Sequence, residues 1–476
     1  SSRPCRTPCG SLPTGTWRPE LDDQVGGRGG RGGQGNREGQ GGQSNREGRE
    51  GRGGQGIREG RGGQDPRAHA ALVADIAALL HGNGYATRAS VSAVDRLNAL
   101  LGTRYRLVPA WREVTLVDEH GAVVLTRPVN LSAINMSRVT RLTRCLYGER
   151  APTAAGLRAA ADEAAATPAS PTWLFCPAAG AGAVLLALIF GLAHLHSGVL
   201  IFAAGALGGL ARRLLGGRGA SLTTQIAAAS LIGGLAGGLS VHLGWTSAAR
   251  LVAVCPAMVL VPGPQVLNGC LDIARRRHDL GLARLADAAL TILAIAGGLV
   301  AGMAAWGASL PVSASFLAVP LWVDVLGAGL VACCYPVYFS MPYRTIPWAL
   351  LAGGLGHALH WIAVSRWGWG GPAASMATCA LVSAILTPVS RRFRIPFAGA
   401  GFAAVVALVP GVYFFRATAG LLALPGMSGA TASAELLAVV QDLTTASLTV
   451  LGMAIGLLAP YHLMSRRAGG TDRPRP

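Results

Sequence analysis

Four acidic side chains lie inside the long apolar runs of this sequence, and two of them follow a repeated tetrapeptide. LVPG stands at Leu260–Gly263 and again at Leu408–Gly411, 148 residues later. An acid comes 25 residues after the proline of each copy, Asp287 in the first case and Glu435 in the second. Charged groups within a bilayer are costly and are usually functional, so two acids in register predict a duplicated working part.

The prolines and glycines of the two copies are candidate hinges. Proline removes a backbone hydrogen bond, and glycine allows the chain to turn. Pro262 with Gly263, and Pro410 with Gly411, therefore predict helix ends whose carbonyls and amides are left free. A simpler interpretation, in which Pro-Gly only ends a membrane span, stays open.

Two further acids, Asp324 and Asp442, have no counterpart in the repeat. Asp442 lies seven residues after Glu435, which is two helical turns further along the same face. Buried acids of this kind can bind an amine or carry a proton. His357 and His360 could join such a relay. Two histidines are too few ligands for zinc, and we predict neither a metal nor any other cofactor.

The composition limits the classes of protein to which the chain can belong. Of 476 residues, 51% are hydrophobic and only 13% are charged, and the mean hydropathy is +0.41. A soluble domain has roughly twice that charged fraction, so we predict a polytopic membrane protein. The formal charge of +18 comes from arginine alone, since all 41 basic residues are arginine.

Several function classes find no support in the motifs. The nine cysteines form no CxxC pair and are expected to pack as small apolar residues. The phosphate-binding pattern GxxxxGK[ST] does not occur, which disfavours ATP-driven transport by this chain alone. We therefore expect a transporter and not an enzyme.

Two segments precede the apolar part. Residues 1–66 are a low-complexity Gly/Arg-rich tail that is predicted to be disordered, and we do not expect it to bind nucleic acid. Residues 67–170 predict a small cytoplasmic α+β domain, with two helices separated at Gly82–Gly84, two or three strands, and amphipathic helices after them. Its polar residues are interpreted as solvated surface, although a membrane-anchored enzyme or sensor remains an alternative. They are His81, Asp95, Glu113 and Asp118.

Ten apolar runs of spanning length follow, in two groups of five. Residues 171–310 would form the first half, residues 311–465 the second, and residues 466–476 a C-terminal tail. The predicted spans are 174–195, 199–215, 221–243, 248–263, 284–306, 316–340, 345–365, 372–388, 397–415 and 433–462. If alternate loops are cytoplasmic, these loops contain thirteen arginines against three outside, which predicts cytoplasmic N- and C-termini in the plasma (inner) membrane.

Five spans per half is an odd number, so the halves should have opposite orientations, as in inverted-repeat secondary transporters. The first LVPG and Asp287 would then lie near the cytoplasmic face, and the second LVPG and Glu435 near the outer face. In this interpretation the two copies are paired gates, and the binding site lies between them near Asp442 and Asp324.

In these features the chain resembles the threonine/serine exporter family. The segments that carry the resemblance are LLHGNGYATRASVSAVDRL, VNLSAINMSRVTRL, VPGPQVLNGCLDIARRRHDLGLARL and ALVPGVYFFRA, over about residues 70–465. The resemblance implies ten helices after a cytoplasmic domain, and export of small hydroxy amino acids driven by the proton gradient. Related systems imply dicarboxylate export, such as succinate, as the alternative.

The expected partners are therefore a small amino acid, protons and the lipid bilayer, with a homo-oligomer left open. A threonine site needs amides at a half-helix N-terminus for the carboxylate and an acid for the ammonium. Its hydroxyl needs a polar side chain, for which Thr223, Thr224 and Gln225 are candidates. A dicarboxylate would need a cation in the pathway. We predict no arginine inside a span, which favours the amino acid.

Overall fold

The structure is a computed structural model that describes residues 66–131, 134–245, 249–308, 319–393 and 397–469. The predicted Gly/Arg-rich tail, apart from Pro66, and the predicted boundary between the halves at residue 310 lie outside these ranges. The description below concerns only the residues within them.

The N-terminal domain has the predicted α+β order. It comprises α1 Pro66–Gly82, α2 Thr87–Leu101, β1 Arg106–Pro109, β2 Glu113–Val117, β3 Val123–Pro128, α3 Met136–Leu146 and α4 Ala154–Ala166. The strands form an antiparallel sheet in the order β1-β2-β3. An apolar core forms because Ile76, Leu80, Leu97 and Leu116 are fully buried between the helices and the sheet.

Local signals explain where two of the domain's helices begin. The Asn135 side chain accepts a hydrogen bond from the Ser137 amide at the start of α3, and Thr153 accepts one from the Gly156 amide at the start of α4. Such caps satisfy amides that the first helical turn leaves without partners. Helix α3 then buries one face, which includes Val139, Leu142 and Leu146.

The membrane part is entirely helical. Its helices are α5 Thr172–Ile189, α6 Leu195–Gly217, α7 Leu222–His242, α8 Ala249–Met258, α9 Gly263–Ala274, α10 His278–Ala304, α11 Leu321–Tyr338, α12 Ile346–Ser365, α13 Gly371–Phe393, α14 Phe397–Val405, α15 Gly411–Ala423 and α16 Gly429–Gly469. Helix α16 continues through Gly469, past the predicted start of a C-terminal tail at residue 466.

Seven of these helices, α5, α6, α7, α10, α11, α13 and α16, are long and apolar enough to cross a membrane, and two bent pairs raise the number to nine. The bent pairs are α8 with α9, at 59°, and residues 399–408 with 411–426, at 57°. Helix α12 has 20 residues but does not meet the same criterion, because His357 and His360 lower its hydropathy. The predicted count of ten spans therefore stays a prediction.

Each LVPG copy interrupts a helix, as predicted, and the bounds of the fourth and ninth spans stay a prediction. The chain bends at each copy and then continues as a helix, α9 after the first and α15 after the second. Polar residues that the sequence assigned to a loop after the fourth span, such as Asn268 and Asp272, are consequently helical.

Corresponding helices of the two halves have corresponding neighbours. Helices α5 and α6 pack together as α11 and α12 do, and α7 packs on α10 as α13 packs on α16. In addition, α9 contacts α16 while α15 contacts α10. These two contacts join the halves through α9 and α15, the helices that follow the bends.

The first helices of the two halves pack side by side and run in opposite directions. The Ser170 amide, just before α5, donates to the Ser340 hydroxyl just after α11, at 2.9 Å. Phe175 near the start of α5 stacks on Tyr338 at the end of α11, with ring centroids 5.0 Å apart. Further along, Ile189 at the end of α5 lies against Gly327 near the start of α11.

Candidate functional site

Both LVPG copies fold into the same tight turn. Pro262 has φ −78° and ψ 52°, and Pro410 has φ −76° and ψ 45°. The amide of the following glycine donates to the carbonyl of the preceding valine, at 2.8 Å for Gly263 and 2.7 Å for Gly411. These are inverse γ-turns, in which proline is well suited to the central position because its ring fixes φ.

The two turns face each other in the centre of the membrane part. A Cβ added to Gly411 would stand 3.0 Å from Cγ2 of Val261, and one added to Gly263 would stand 3.6 Å from Cγ2 of Val409 and clash with Phe402. Each glycine therefore packs against the other copy's valine, and only a residue without a side chain fits. The prediction that the copies lie at opposite faces of the membrane was wrong, because the bends carry both turns inward.

The crossing of the two turns is apolar and closed. Its residues enclose a void of about 10 Å³, too small for more than a single water molecule. They are Leu186, Met258, Val261, Tyr335, Phe402, Val406 and Val409. A polar substrate therefore has no room between the two turns in this conformation.

The structure brings Asp324 together with one of the two predicted histidines. Oδ2 of Asp324, in the first turn of α11, lies 3.0 Å from Nδ1 of His357 on α12. Asp324 is 7% exposed and His357 is 3% exposed, so the pair is shielded from solvent. The His360 ring lies next in line, with its centroid 5.9 Å from that of His357. The acid and the two imidazoles thus lie next to one another on α11 and α12.

Asp442 lies elsewhere and has a basic partner of its own. Its Oδ2 is 3.1 Å from Nε of Arg416 on α15, and Asp442 is 6% exposed. Glu435, two turns earlier on α16, stands over Gly420 of the same α15. Asp324 and Asp442 thus pair with different basic residues on different helices.

The prediction that no arginine lies inside a span was wrong. Arg416 belongs to α15 and Arg284 to α10, where it is only 4% exposed. In the predicted spans Arg284 is the first residue of 284–306 and Arg416 follows the last residue of 397–415, so both were expected at the ends of spans. Each arginine is stabilised by a nearby carboxylate, as a buried cation requires.

A polar cavity of about 200 Å³ lies between the N-terminal domain and the first half. Helices α9 and α10 supply the polar residues of one wall, and the loops of the domain supply the other. The lining consists of Pro264, Gln265 and Asn268 of α9, Arg284, Asp287 and Thr291 of α10, Leu222 and Thr223 of α7, and His81, Gly82, Gly84, Trp111, Arg112, Leu131 and Ile134 of the domain.

A buried ion pair next to this cavity joins the domain to the helices. Oδ2 of Asp272 lies 3.2 Å from Nε of Arg284 and accepts a hydrogen bond of 2.9 Å from the Thr87 hydroxyl. Asp272, Arg284 and Thr87 are 2%, 4% and 3% exposed. The Arg284 guanidinium also stacks over the Trp111 ring, 5.3 Å from its centroid.

Sequence reasoning missed Asp272 and Arg284, although a signal for them existed. Gln265, Asn268 and Asp272 follow one another at intervals of three and four, which is the spacing of one helix face. The three arginines at 275–277 follow directly and are typical of a cytoplasmic loop, so they obscure this helix face in the sequence.

His81 is buried, contrary to its interpretation as solvated surface. It is 2% exposed, and among the residues that the structure describes its two ring nitrogens have at most one hydrogen-bond partner, the Ala110 backbone. Burial and, to a smaller extent, the positive charge of Arg284 together lower the pKa of His81 to about 4. The imidazole at the cavity wall is therefore neutral at physiological pH.

The other predicted polar contacts are separated by the fold. Thr223 lines the cavity, as does Asp287. Thr224 instead lies beside Ser221, whose hydroxyl is 2.8 Å from its own, at the start of α7. Gln225 donates to the Ala220 carbonyl at 2.9 Å. Only Thr223 of this group can reach a molecule in the cavity.

Together, the apolar helices, the matched halves and the crossing of two broken helices define a polytopic helical membrane protein of the transporter class. Two threonine/serine exporter family models match the chain, ThrE over residues 72–306 and ThrE_2 over residues 324–462. The chain belongs to the threonine/serine exporter family. Comparisons with curated proteins and with solved structures gave no significant match.

Proposed function

We propose that this protein is a secondary transporter that exports threonine and serine across the plasma membrane in exchange for protons, by alternating access. The facing LVPG turns are the observation that carries this proposal. Two helices that break at the same tetrapeptide, and contact each other at the break, supply a central pivot about which the halves can rock.

The direction of the helices supports an inverted arrangement of the halves. Because α5 begins where α11 ends, the two helices at equivalent positions are antiparallel. An inverted repeat can exchange the conformations of its halves, and this exchange opens the pathway to the opposite side of the membrane. The N-terminal domain packs at the start of α5, and we assign that side to the cytoplasm.

Proton coupling is assigned to the buried acids. Asp324 with His357 gives a carboxylate and an imidazole that can share a proton away from water. Asp442 with Arg416 gives a second pair, which protonation of the carboxylate would weaken. Either event changes the charge of a helix that packs near the pivot, and so biases one conformation over the other.

Dicarboxylate export is the second candidate, and one observation favours it. Arg284 and Arg416 lie within helices of the membrane part, where a dianion could be bound. Both arginines, however, already have a carboxylate within 3.2 Å, so their charge is largely compensated. The amino acid, which brings no net charge, is the better match.

Transport by inside-out vesicles tests the proposal. Vesicles with the cytoplasmic side outward should accumulate labelled threonine and serine when their lumen is acidic, and accumulation should stop when the gradient is collapsed. Asp324→Asn should abolish the response to the gradient, whereas Asp95→Asn, at an exposed position of α2, should not change it. Accumulation of succinate without threonine would refute the assignment of substrate.

A further inference from the structure

The cavity between the N-terminal domain and the first half has an unusual combination of groups for its size. It contains a cation, Arg284, and an acid, Asp287, one turn apart on α10. Arg112 of the domain adds a second positive charge that acts on Asp287. Both signs of charge therefore face a space of about 200 Å³, below the usual range for drug-sized ligands.

Neutral hydrogen-bonding groups complete the wall. Gln265, Asn268 and Thr291 face the cavity from the same two helices. Oε1 of Gln265 is buried and has no hydrogen-bond partner among the described residues. The cavity also lies at the start of α9, where the helix dipole favours a carboxylate.

His81 is the independent sign that a ligand belongs here. Its ring lies in the wall and is 2% exposed, and within the described part of the chain its two nitrogens have at most one hydrogen-bond partner, the Ala110 backbone. Buried polar atoms are normally hydrogen-bonded, and those that are not need an explanation. A bound polar molecule would satisfy His81 and Gln265 together.

We propose that this cavity binds a small hydroxy amino acid in its zwitterionic form, and that the N-terminal domain is part of the binding site. The carboxylate lies towards Arg112 and the first turn of α9, the ammonium towards Asp287, and the hydroxyl among Gln265, Asn268 and His81. This inference rests on the proposed function, because it names the cytoplasmic site at which the exported molecule is collected.

The arrangement explains why a transporter would carry this domain. Trp111, Arg112 and His81 close the side of the cavity that the membrane helices leave open. The Thr87–Asp272–Arg284 contact holds that wall in place. Substrate is therefore recognised by groups from two parts of the chain before the helices move.

Equilibrium binding of labelled L-threonine to the purified full-length protein in detergent tests the proposal. Asp287→Asn and Gln265→Leu should each weaken binding by about tenfold to a hundredfold. This is the usual effect of losing a hydrogen bond between charged groups, or of leaving a polar group of the ligand without a hydrogen-bond partner. Asp95→Asn and Glu119→Gln, substitutions at exposed positions, should leave the Kd unchanged. Thermal unfolding of each variant shows whether it is folded.

The outcomes separate this proposal from the proposed function. If the wild type transports threonine but Asp287→Asn and Gln265→Leu bind it as tightly as the wild type, the site is wrong and the function stands. If succinate displaces labelled threonine at equal concentration, the zwitterion assignment is overturned. If the wild type neither transports nor binds threonine, the proposed function fails as well.

Discussion

The contact between Asp272 and Arg284 allows the sharpest prediction about this protein. In the Asp272→Ala variant, the guanidinium of Arg284 stays 4% exposed but loses its only carboxylate at ion-pair distance among the described residues. Thr87 also loses the acceptor of its hydroxyl. Removing one partner of a buried ion pair costs about 3–5 kcal/mol.

This cost should appear first as undocking of the N-terminal domain, since Thr87 begins α2 and Asp272 lies near the end of α9. Hydrogen exchange of the native protein measures the free energy of such local opening. At about 1.4 kcal/mol per factor of ten, amides of α2 should exchange roughly two to three and a half orders of magnitude faster in the variant.

Two controls determine whether the buried pair is the cause. Glu119→Ala breaks the Arg104–Glu119 pair, whose side chains are 84% and 54% exposed, and should change exchange by less than about tenfold. Asp272→Leu combined with Arg284→Met replaces the pair with apolar side chains and should recover most of the protection. If Asp272→Ala exchanges like the wild type, or the double variant is worse than either single one, the reasoning is refuted.

Three further predictions concern the pH dependence of stability, the contact between the two LVPG turns, and the pair of Asp324 and His357. The folded-state pKa of His81, about 4, is below its unfolded value near 6.5, so the free energy of unfolding should fall by about 3 kcal/mol as the pH is lowered from 6.5 to 4. In denaturant titrations at several pH values, His81→Gln should make the free energy of unfolding less dependent on pH over this range. Gly411→Val should abolish transport because the new side chain meets Val261, whereas Gly297→Ala, where an added Cβ meets nothing within 4 Å, should transport normally. His357→Gln should make threonine efflux independent of external pH, and a retained pH profile would exclude that histidine from the proton path.

The order of elements in the N-terminal domain could be predicted from local signals. Breaks at glycine, alternation of apolar residues in strands and helical spacing depend on neighbours within a few residues. The same holds for the duplicated LVPG and for the acids inside apolar runs. Proline followed by glycine favours a helix break, so an interruption at Pro262 and Pro410 could be anticipated from the sequence, although other prolines, such as Pro256, lie inside helices.

The direction of the chain after each LVPG copy, and the contacts of each turn, depended on the tertiary structure. A helix that ends at proline and one that bends there and continues have the same local pattern, and only packing on α10 and α16 distinguishes them. The second possibility is the one observed. It puts the two turns against each other, and it places Arg416 in the helix that follows the second turn.

The candidate cavity could not be predicted from the sequence, for a related reason. Its walls come from segments some 200 residues apart, such as His81 and Arg284, and nothing in the spacing of distant residues indicates that they meet. The acids at Asp287 and Glu435 were visible because a buried charge is costly wherever it occurs. The pairing of Asp442 with Arg416 was not visible, because it depends on how the helix after Pro410 packs against α16.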